Sequence, residues 1–303
     1  MRVTRHLTAI RTLSDEELTT LIATAKSMQA RSEAGQPLPD LSKKVAGMLF
    51  FENSTRTRVS FEQAARHLGM GASEFSAASS MSKGETLKDT VLTLRHEGLD
   101  ALVLRHPASG AAALAARHFG GPVLNAGDGE HEHPTQAVAD ALTVLKRKGR
   151  IEGLTVAIVG DVRHSRVARS DAWLFNRLGA NIRLVGPRTL MPASETNLPG
   201  EIHYDLASGI AGADVVIALR LQRERMERGL IGSLGEYRAG FGLDEDALSV
   251  AQDDVLVMHP GPINRGVELD DVTADGPRSA IADQIRNGVH ARVAAFVWVF
   301  AAE

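Results

Sequence analysis

Hydroxyl and arginine side chains follow an apolar segment at residues 50–58, Phe-Phe-Glu-Asn-Ser-Thr-Arg-Thr-Arg. If a strand ends and a helix begins here, the first-turn N–H groups point outward without partners and, with the helix dipole, favour an anion. Ser54, Thr55 and Thr57 add hydroxyl donors, and Arg56 can hold two phosphate oxygens. The alternative is a helix cap with solvated arginines. We favour the anion site, because α/β proteins bind ligands where strands end.

Two further segments could act on a reacting carbonyl group. Arg105 follows another predicted strand and could bind the same anion, although a single arginine after a strand is usually solvated. His133 and Gln136 belong to His-Pro-Thr-Gln, which follows a Gly-rich loop at 125–129. His133 could donate to a carbonyl oxygen that gains charge during nucleophilic attack, and Gln136 lies one helical turn further on.

A metal site is the alternative interpretation of this histidine-rich segment. His131 and His133 alternate with Glu130 and Glu132, and all four are possible metal ligands. We rank this interpretation low, because the partner spacing H-E-x-x-H is missing and the run suits a solvated acidic loop. A structural helix cap is a third reading, which fits His131 better than His133.

Basic side chains also follow predicted strands in the second half. Residues 160–166, Gly-Asp-Val-Arg-His-Ser-Arg, resemble a dinucleotide turn but lack its G-x-G-x-x-G glycines, so Arg166 suits a carboxylate better. Arg220 and Gln222 follow the next strand and could point the same way along an extended chain. For Arg223 and Arg225 we accept a solvated face.

The turn at 259–266, His-Pro-Gly-Pro-Ile-Asn-Arg-Gly, follows the last predicted strand. Its prolines stiffen the backbone, and its exposed carbonyls could accept hydrogen bonds from a substrate amine. A plain loop explains the same residues equally well.

The elements that must position these residues alternate between strands and helices. Short apolar strands separated by helices indicate βαβ units and parallel sheets, which bind ligands beyond the carboxyl ends of their strands. The charged, Gly-containing segment 146–153 is the best domain boundary. The predicted strands are 45–51, 72–75, 101–104, 123–124, 155–159, 182–185, 215–219 and 255–258, and the predicted helices include 14–25, 56–68, 86–97, 135–148, 166–178 and 278–300.

Composition narrows the class of protein. A length of 303 residues suggests two domains at about 150 residues each. The net charge of −3 gives no general attraction to nucleic acid, and the lack of cysteine excludes disulfides and thiol chemistry. The N-terminus does not read as a signal peptide and no segment reads as a membrane span, so we expect a cytoplasmic protein.

Together these segments resemble the aspartate/ornithine carbamoyltransferase family along nearly the whole chain. Ser-Thr-Arg-Thr-Arg at 54–58 and His-Pro-Thr-Gln at 133–136 are shared by both branches of the family. The aspartate branch is indicated by the segment 79–86, by Arg-Leu-Gln at 220–222 with Glu-Arg at 224–225, and by the turn at 259–266. The ornithine branch typically has a cysteine in that turn, and this chain has none.

The resemblance implies a carbamoyl phosphate domain at residues 1–148, joined by the C-terminal helix at 285–303, and an aspartate domain at 149–284. It implies transfer of a carbamoyl group to L-aspartate in pyrimidine biosynthesis, without a cofactor or a metal. It also implies a homotrimer in which Ser79 and Lys83 enter the neighbouring subunit's site, where Ser79 is chosen over Ser80 and Ser82 by its spacing from the lysine. The same resemblance is compatible with a larger assembly with dihydroorotase or a regulatory chain.

The same resemblance assigns the individual site residues. Thr55, Arg105 and His133 polarise the carbamoyl oxygen, and Arg56 and Lys83 join them as catalytic residues. Gln222 supports Arg220. The residues that hold carbamoyl phosphate are Ser54, Thr55, Arg56, Thr57, Arg105, His133, Gln136, Pro260 and Gly261, and those that bind aspartate are Lys83, Arg166, Arg220 and Gln222.

Three rival functions remain at this stage. A transferase for another amino acid, such as ornithine, would carry a hydrophobic or acidic pocket in place of Arg166 and Arg220. A nicotinamide-dependent dehydrogenase is disfavoured by the missing glycines. A non-catalytic scaffold would be expected to have lost at least one of four residues, and the chain retains them all: Arg56, Lys83, Arg105 and His133.

Overall fold

The computed structural model describes residues 4–76, 84–192, 198–222 and 230–301. The chain divides into two compact units, one comprising Met1–Leu142 with Arg286–Glu303 and the other Thr143–Ile285. Each unit contains one parallel sheet with helices around it, as predicted. None of the helices in the described part of the chain is long and apolar enough to cross a membrane.

The first unit has a four-stranded sheet in the order β2-β1-β3-β4. Its strands are β1 (Val45–Phe50), β2 (Gly71–Ser76), β3 (Ala101–His106) and β4 (Val123–Asp128). Its helices are α1 (Asp15–Glu33), α2 (Thr55–His67), α3 (Leu87–His96), α4 (Ala111–Phe119) and α5 (Pro134–Lys148), the last of which runs on into the second unit. Helix α1 begins with a capping box, since Ser14 Oγ accepts from Glu17 N–H and the Glu17 carboxylate accepts from Ser14 N–H.

The second unit has a five-stranded sheet in the order β7-β6-β5-β8-β9. Its strands are β5 (Thr155–Val159), β6 (Asn181–Val185), β7 (Glu201–His203), β8 (Val215–Ala218) and β9 (Leu256–Met258). Its helices are α6 (Arg166–Arg177), α7 (Leu206–Ile210), α8 (Leu234–Phe241), α9 (Glu245–Leu248) and α10 (Asp271–Asp275), with a 3-10 turn at Arg188–Leu190. The short strand β7 and the helices α7 to α10 were not predicted from the sequence.

The final helix, α11 (Ile281–Phe300), begins in the second unit and continues into the first. Within the first unit it packs on α1 and α2, as expected. Phe296 meets Phe61 edge to face at 5.8 Å, and the indole N–H of Trp298 donates to Thr20 Oγ1 at 3.0 Å. The helix begins three residues later than predicted. Residues 278–280 instead run beside β9, where Arg278 O accepts from Val257 N–H and Ala280 N–H donates to Val257 O.

Strand β4 extends beyond the predicted residues, and this corrects the expected Gly-rich loop. Residues 125–128 continue the strand, and Asp128 pairs with His106 after a register shift in β3. On the opposite edge, Leu7 forms an isolated parallel bridge with Leu124, so the N-terminal segment completes the pairing of β4. The turn therefore starts later, and His133 stands directly before α5.

Candidate active site

The carboxyl edge of the first sheet brings three sequence segments together. In the strand register, Phe50 of β1 lies beside Arg105 of β3, and His106 lies beside Asp128 of β4. The chain leaves β1 at this edge and enters α2 at Thr55. The predicted anion-binding residues therefore lie on adjacent strands of one sheet edge, where parallel sheets hold ligands.

The N-terminus of α2 has free capacity for an anion. Its first helical hydrogen bond runs from Arg58 N–H to Ser54 O at 3.1 Å, so the N–H groups of residues 55–57 precede the helical ladder. The side chain of the N-cap, Ser54, makes no capping hydrogen bond, and the first turn carries no acidic residue. Thr55 and Arg56 are exposed and Thr57 is buried. Backbone donors, hydroxyls and a guanidinium thus occupy one helix end.

Arg105 lies inside β3 rather than after it, which corrects the sequence prediction. Its Nη1 donates to Ala126 O at 3.1 Å, and its Nε lies 3.4 Å from Oε2 of Glu52. Both side chains are largely buried, with 14% and 19% of their surface exposed. Any anion that binds Arg105 would therefore compete with the Glu52 carboxylate. Glu52 was not among the predicted site residues. A single acidic residue shortly before a basic, hydroxyl-rich helix start was the feature of the sequence that could have indicated it.

His133 and Gln136 stand at the beginning of α5. His133 is 4% exposed, and its carbonyl accepts from Gln136 N–H at 3.0 Å. Gln136 is half-buried and donates from Nε2 to Oδ1 of Asp140, one turn further along, at 2.9 Å. Asp140 is fully buried. The amide oxygen of Gln136 is thereby turned to a defined side, and Asp140 is a supporting residue that the sequence did not reveal.

The segment before His133 is held by buried carboxylates. Glu132 is 2% exposed and accepts from the N–H groups of Ile10 at 2.7 Å and Arg11 at 3.2 Å. Asp128 accepts from Gly110 N–H at 2.8 Å and from Asn125 Nδ2 at 2.7 Å. Glu132, one of the two glutamates that suggested a solvated loop, is thus buried and, together with Asp128, holds the loop by internal hydrogen bonds.

The residues of the metal alternative point elsewhere. His131 places Nδ1 3.2 Å from both Asp128 oxygens, and this hydrogen bond raises the pKa of His131. Within residues 4–76, 84–192, 198–222 and 230–301, no group of three or more His, Asp or Glu side chains is arranged to hold a metal ion.

The carboxyl edge of the second sheet carries the other predicted residues. Val159 of β5 lies beside Ala218 of β8, and Ile217 lies beside Met258 of β9. Arg166 is the first residue of α6 and is 5% exposed, so its cation is held in the interior of the unit. Its N-cap, Ser165, accepts from Ala168 N–H at 3.1 Å. A buried guanidinium at a strand-to-helix turn suits a ligand carboxylate.

Arg220 and Gln222 follow β8 in an extended segment. Arg220 is half-buried, and Gln222 Nε2 lies 3.5 Å from the carbonyl of His164. The ring of His164 is fixed in turn by Asp161, with Nδ1 2.9 Å from Oδ1. The segment after β8 and the turn after β5 are thus joined within this unit.

Pro260 and Gly261 follow β9 in a tight turn. The N–H of Gly261 donates to Nδ1 of His259 at 2.8 Å, and Gly261 adopts a φ of 70°. The Gly261–Pro262 peptide bond is cis. Ser79 and Lys83, and also Arg223 and Arg225, lie outside the described residues.

Comparison with known proteins identifies the family. The family model described as the carbamoyl-P binding domain of aspartate/ornithine carbamoyltransferase matches residues 5–146, and that of the Asp/Orn binding domain matches residues 152–299. The chain belongs to the aspartate/ornithine carbamoyltransferase family. The resemblance inferred from the motifs is thereby confirmed.

Similar relatives within the family agree on the branch. The aspartate carbamoyltransferase catalytic subunit of Rhodopseudomonas palustris (strain HaA2) is 49% identical over 96% of this chain and 92% of its own. That of Granulibacter bethesdensis is 50% identical over 95% of this chain and 92% of its own.

Solved structures from both branches share the fold of this carbamoyltransferase. Aspartate transcarbamoylase of Trypanosoma cruzi in complex with carbamoyl phosphate and aspartate has a TM-score of 0.87 and 32% identity, covering 98% of this chain and 97% of that one. Ornithine carbamoyltransferase of Pyrococcus furiosus has a TM-score of 0.88 and 30% identity, covering 99% and 98%. The fold alone therefore does not distinguish the two acceptors.

Proposed function

We propose that this chain is an aspartate carbamoyltransferase, which converts carbamoyl phosphate and L-aspartate to N-carbamoyl-L-aspartate and phosphate. The observation that carries the proposal is the pair of cationic sheet edges. One edge presents a helix N-terminus, hydroxyls and Arg105, which suit a phosphate, and the other presents Arg166 and Arg220, which suit a dicarboxylate. Relatives with half of their residues identical carry the same name.

The first edge would bind and activate the donor. Ser54, Thr55 and Thr57, with the backbone N–H groups of α2, hold the phosphate together with Arg56. Arg105, His133 and Thr55 donate to the carbamoyl oxygen as it gains charge, and each such donor contributes about 3 kcal/mol to a transition state of this kind. Gln136, with Pro260 and Gly261 carbonyls, holds the carbamoyl nitrogen.

The reaction needs no separate protein base. The neutral amine of aspartate attacks the carbamoyl carbon, a C–N bond forms, and the C–O bond to phosphate breaks. The departing phosphate accepts the proton released by the amine. Holding donor and acceptor in contact can supply about 7–11 kcal/mol of the rate acceleration.

The acceptor is chosen by charge. L-Aspartate brings two carboxylates, and Arg166 and Arg220 provide two guanidinium groups, with Gln222 as a support for Arg220. The side chain of L-ornithine carries a cation, which two arginines would repel. The charge of the acceptor side chain therefore distinguishes the proposed activity from that of the ornithine branch.

The setting of the reaction is part of the same proposal. The chain acts in the cytoplasm, in de novo pyrimidine biosynthesis, as a homotrimer. Ser79 and Lys83 of each subunit serve the site of the neighbouring one, and dihydroorotase or a regulatory chain joins a larger assembly. The support is the family resemblance of the segment 79–86 and of the turn at 259–266. A homotrimer would have three times the 32.4 kDa mass of one chain.

The direct test is phosphate release from carbamoyl phosphate by the purified chain with L-aspartate, L-ornithine or no acceptor. We expect release above the spontaneous rate with L-aspartate only, and loss of nearly all release in Arg56→Ala with the fold intact by circular dichroism. Release that depends on ornithine would assign the other branch, and no acceptor-dependent release would leave the scaffold alternative.

A further inference from the structure

Glu268 is a buried carboxylate in the second unit to which the sequence analysis gave no role. It follows the turn at 259–266 and is 1% exposed. Its Oε1 accepts from Leu221 N–H at 2.9 Å and from Asn264 Nδ2 at 2.6 Å, and its Oε2 accepts from Asn264 N–H at 2.6 Å. A buried charge is costly, so its retention requires several partners, and these partners come from two site segments.

The first segment that Glu268 holds is the one that carries Arg220. Leu221 directly follows Arg220, and its N–H group is the one bound by the carboxylate. Leu219 N–H still donates to Val159 O of β5 at 2.8 Å, whereas residues 220–222 lie beyond the last paired residue of β8. The bond to Glu268 therefore sets the backbone from which the guanidinium of Arg220 reaches out.

The second segment is the turn of Pro260 and Gly261. Gly261 N–H donates to Nδ1 of His259, so the ring proton lies on Nε2. Nε2 lies 3.7 Å from Oε2 of Glu268, and both side chains are essentially inaccessible to solvent. Glu268 holds this turn through Asn264, whose backbone N–H and side-chain amide both donate to it, while the imidazole of His259 orients the backbone of Gly261.

We infer that Glu268 is a positioning residue for carbamoyl transfer, which fixes Arg220 and the Pro260–Gly261 carbonyls in one mutual arrangement. The groups that face its two oxygens are all donors, so only an ionised carboxylate can accept from both sides. A glutamine would turn its NH₂ group toward a donor. The inference rests on the proposed function, because it concerns how the acceptor and the carbamoyl nitrogen are held.

Tyr237 closes this cluster from another side. It is 4% exposed, and burial first, then the charges of Glu268 and Asp161, raise its pKa, so the hydroxyl remains protonated. A Cβ at Gly160, where φ is 125°, would lie 2.9 Å from the Tyr237 oxygen. The Tyr237 hydroxyl therefore lies close against the turn after β5, within electrostatic range of Glu268.

The test compares Glu268→Gln with wild type and with Glu152→Gln, a matched change at an exposed glutamate of the same unit. Wild-type transfer to L-aspartate is measured first, and its absence would refute the proposed function rather than this inference. For Glu268→Gln we expect the KM for L-aspartate to rise at least tenfold and kcat to fall at least tenfold. Binding of inorganic phosphate, which probes the first unit, should stay within twofold by calorimetry.

A second variant guards against a folding defect. Asn264→Ala removes one donor to Glu268 at a half-buried position and should shift KM and kcat in the same directions by a smaller factor. Glu152→Gln should match wild type. The inference is overturned if both site variants fold and keep wild-type kinetics, or if they lose only folded protein while the KM of the remaining enzyme is unchanged.

Discussion

A buried pair of charged residues, Asp140 and Arg292, lies next to the predicted site residue Gln136. Asp140 accepts from Gln136 Nε2 and is completely buried, so its own charge needs compensation. Arg292 of α11 supplies it. Burial lowers the pKa of Arg292 to about 10, and the Asp140 charge partly opposes this shift. Arg292 Nη1 also donates to Gly288 O at 2.8 Å, and its guanidinium lies 5.7 Å from the Phe61 ring.

The pair makes a stability prediction. Arg292→Met should lower the free energy of unfolding by about 3–5 kcal/mol, because Asp140 is left as a buried charge without its cation. Adding Asp140→Asn should restore most of the loss, since the remaining groups are then neutral. Equilibrium urea denaturation at one fixed protein concentration measures both.

The control for this pair is Arg31→Met, a change in the last turn of α1 that should cost less than about 0.5 kcal/mol. A single Arg292 variant as stable as wild type would contradict the prediction. So would a double variant no more stable than the single one.

Residue types could be predicted from the sequence where chemistry and chain position coincide. Arg56, Arg105, Arg166 and Arg220 were found because each follows an apolar segment of the sequence within a few residues. Glu52, Asp140 and Glu268 were not found in this way, since a single acidic residue normally lies in solvent. Their partners are distant in sequence, as with Glu268 and Leu221, and only the folded chain brings them together.

At the scale of elements, the start of α2 differs from those of the other described helices that have a serine N-cap. The hydroxyls of Ser14, Ser165 and Ser233 accept from N–H groups of α1, α6 and α8, whereas that of Ser54 does not accept from α2. A cap hydroxyl that bonds to no N–H of its own helix keeps its donor and acceptor capacity for a ligand.

This difference predicts a crossed result for two serine variants. Ser54→Ala should change the free energy of unfolding by less than about 0.5 kcal/mol but weaken inorganic phosphate binding several-fold. Ser14→Ala should cost about 1 kcal/mol and leave phosphate binding unchanged, because it breaks a capping box. Urea denaturation and calorimetric titration give both quantities. Equal stability losses with unchanged phosphate binding would remove Ser54 from the anion site.

Elements with strong local signals were predictable. Strand β5 was predicted with its observed ends, because an apolar run lies between turn residues. Strand β7 has only three residues, and all of them are exposed or partly exposed, so it has no alternation of apolar and polar residues by which to predict it. Each of the short helices α7, α9 and α10 is preceded by an aspartate whose side chain caps its first turn: Asp205, Asp244 and Asp270. Those aspartates were the available signal, but helices of four or five residues have too little apolar pattern to support it.

At the scale of the whole molecule, the sequence analysis predicted two parallel-sheet units and a C-terminal helix that packs on the first, and both are found. The strand–helix alternation was sufficient for the fold class. The acceptor was not a matter of fold, since solved structures of both branches have nearly equal TM-scores. In the proposed function, the choice of acceptor depends on Arg166 and Arg220 at the carboxyl edge of the second sheet.

Carbamoyl transfer to aspartate moves the carbamoyl carbon from a phosphate oxygen to the nitrogen of aspartate. Carbamoyl phosphate labelled with carbon-13 and L-aspartate labelled with nitrogen-15 test this transfer in one sample, with unlabelled L-ornithine present at equal concentration. We predict a product carbon resonance that is split by coupling to nitrogen-15. An unsplit product resonance, or label recovered only as carbon dioxide and bicarbonate, would show that the enzyme does not carbamoylate aspartate.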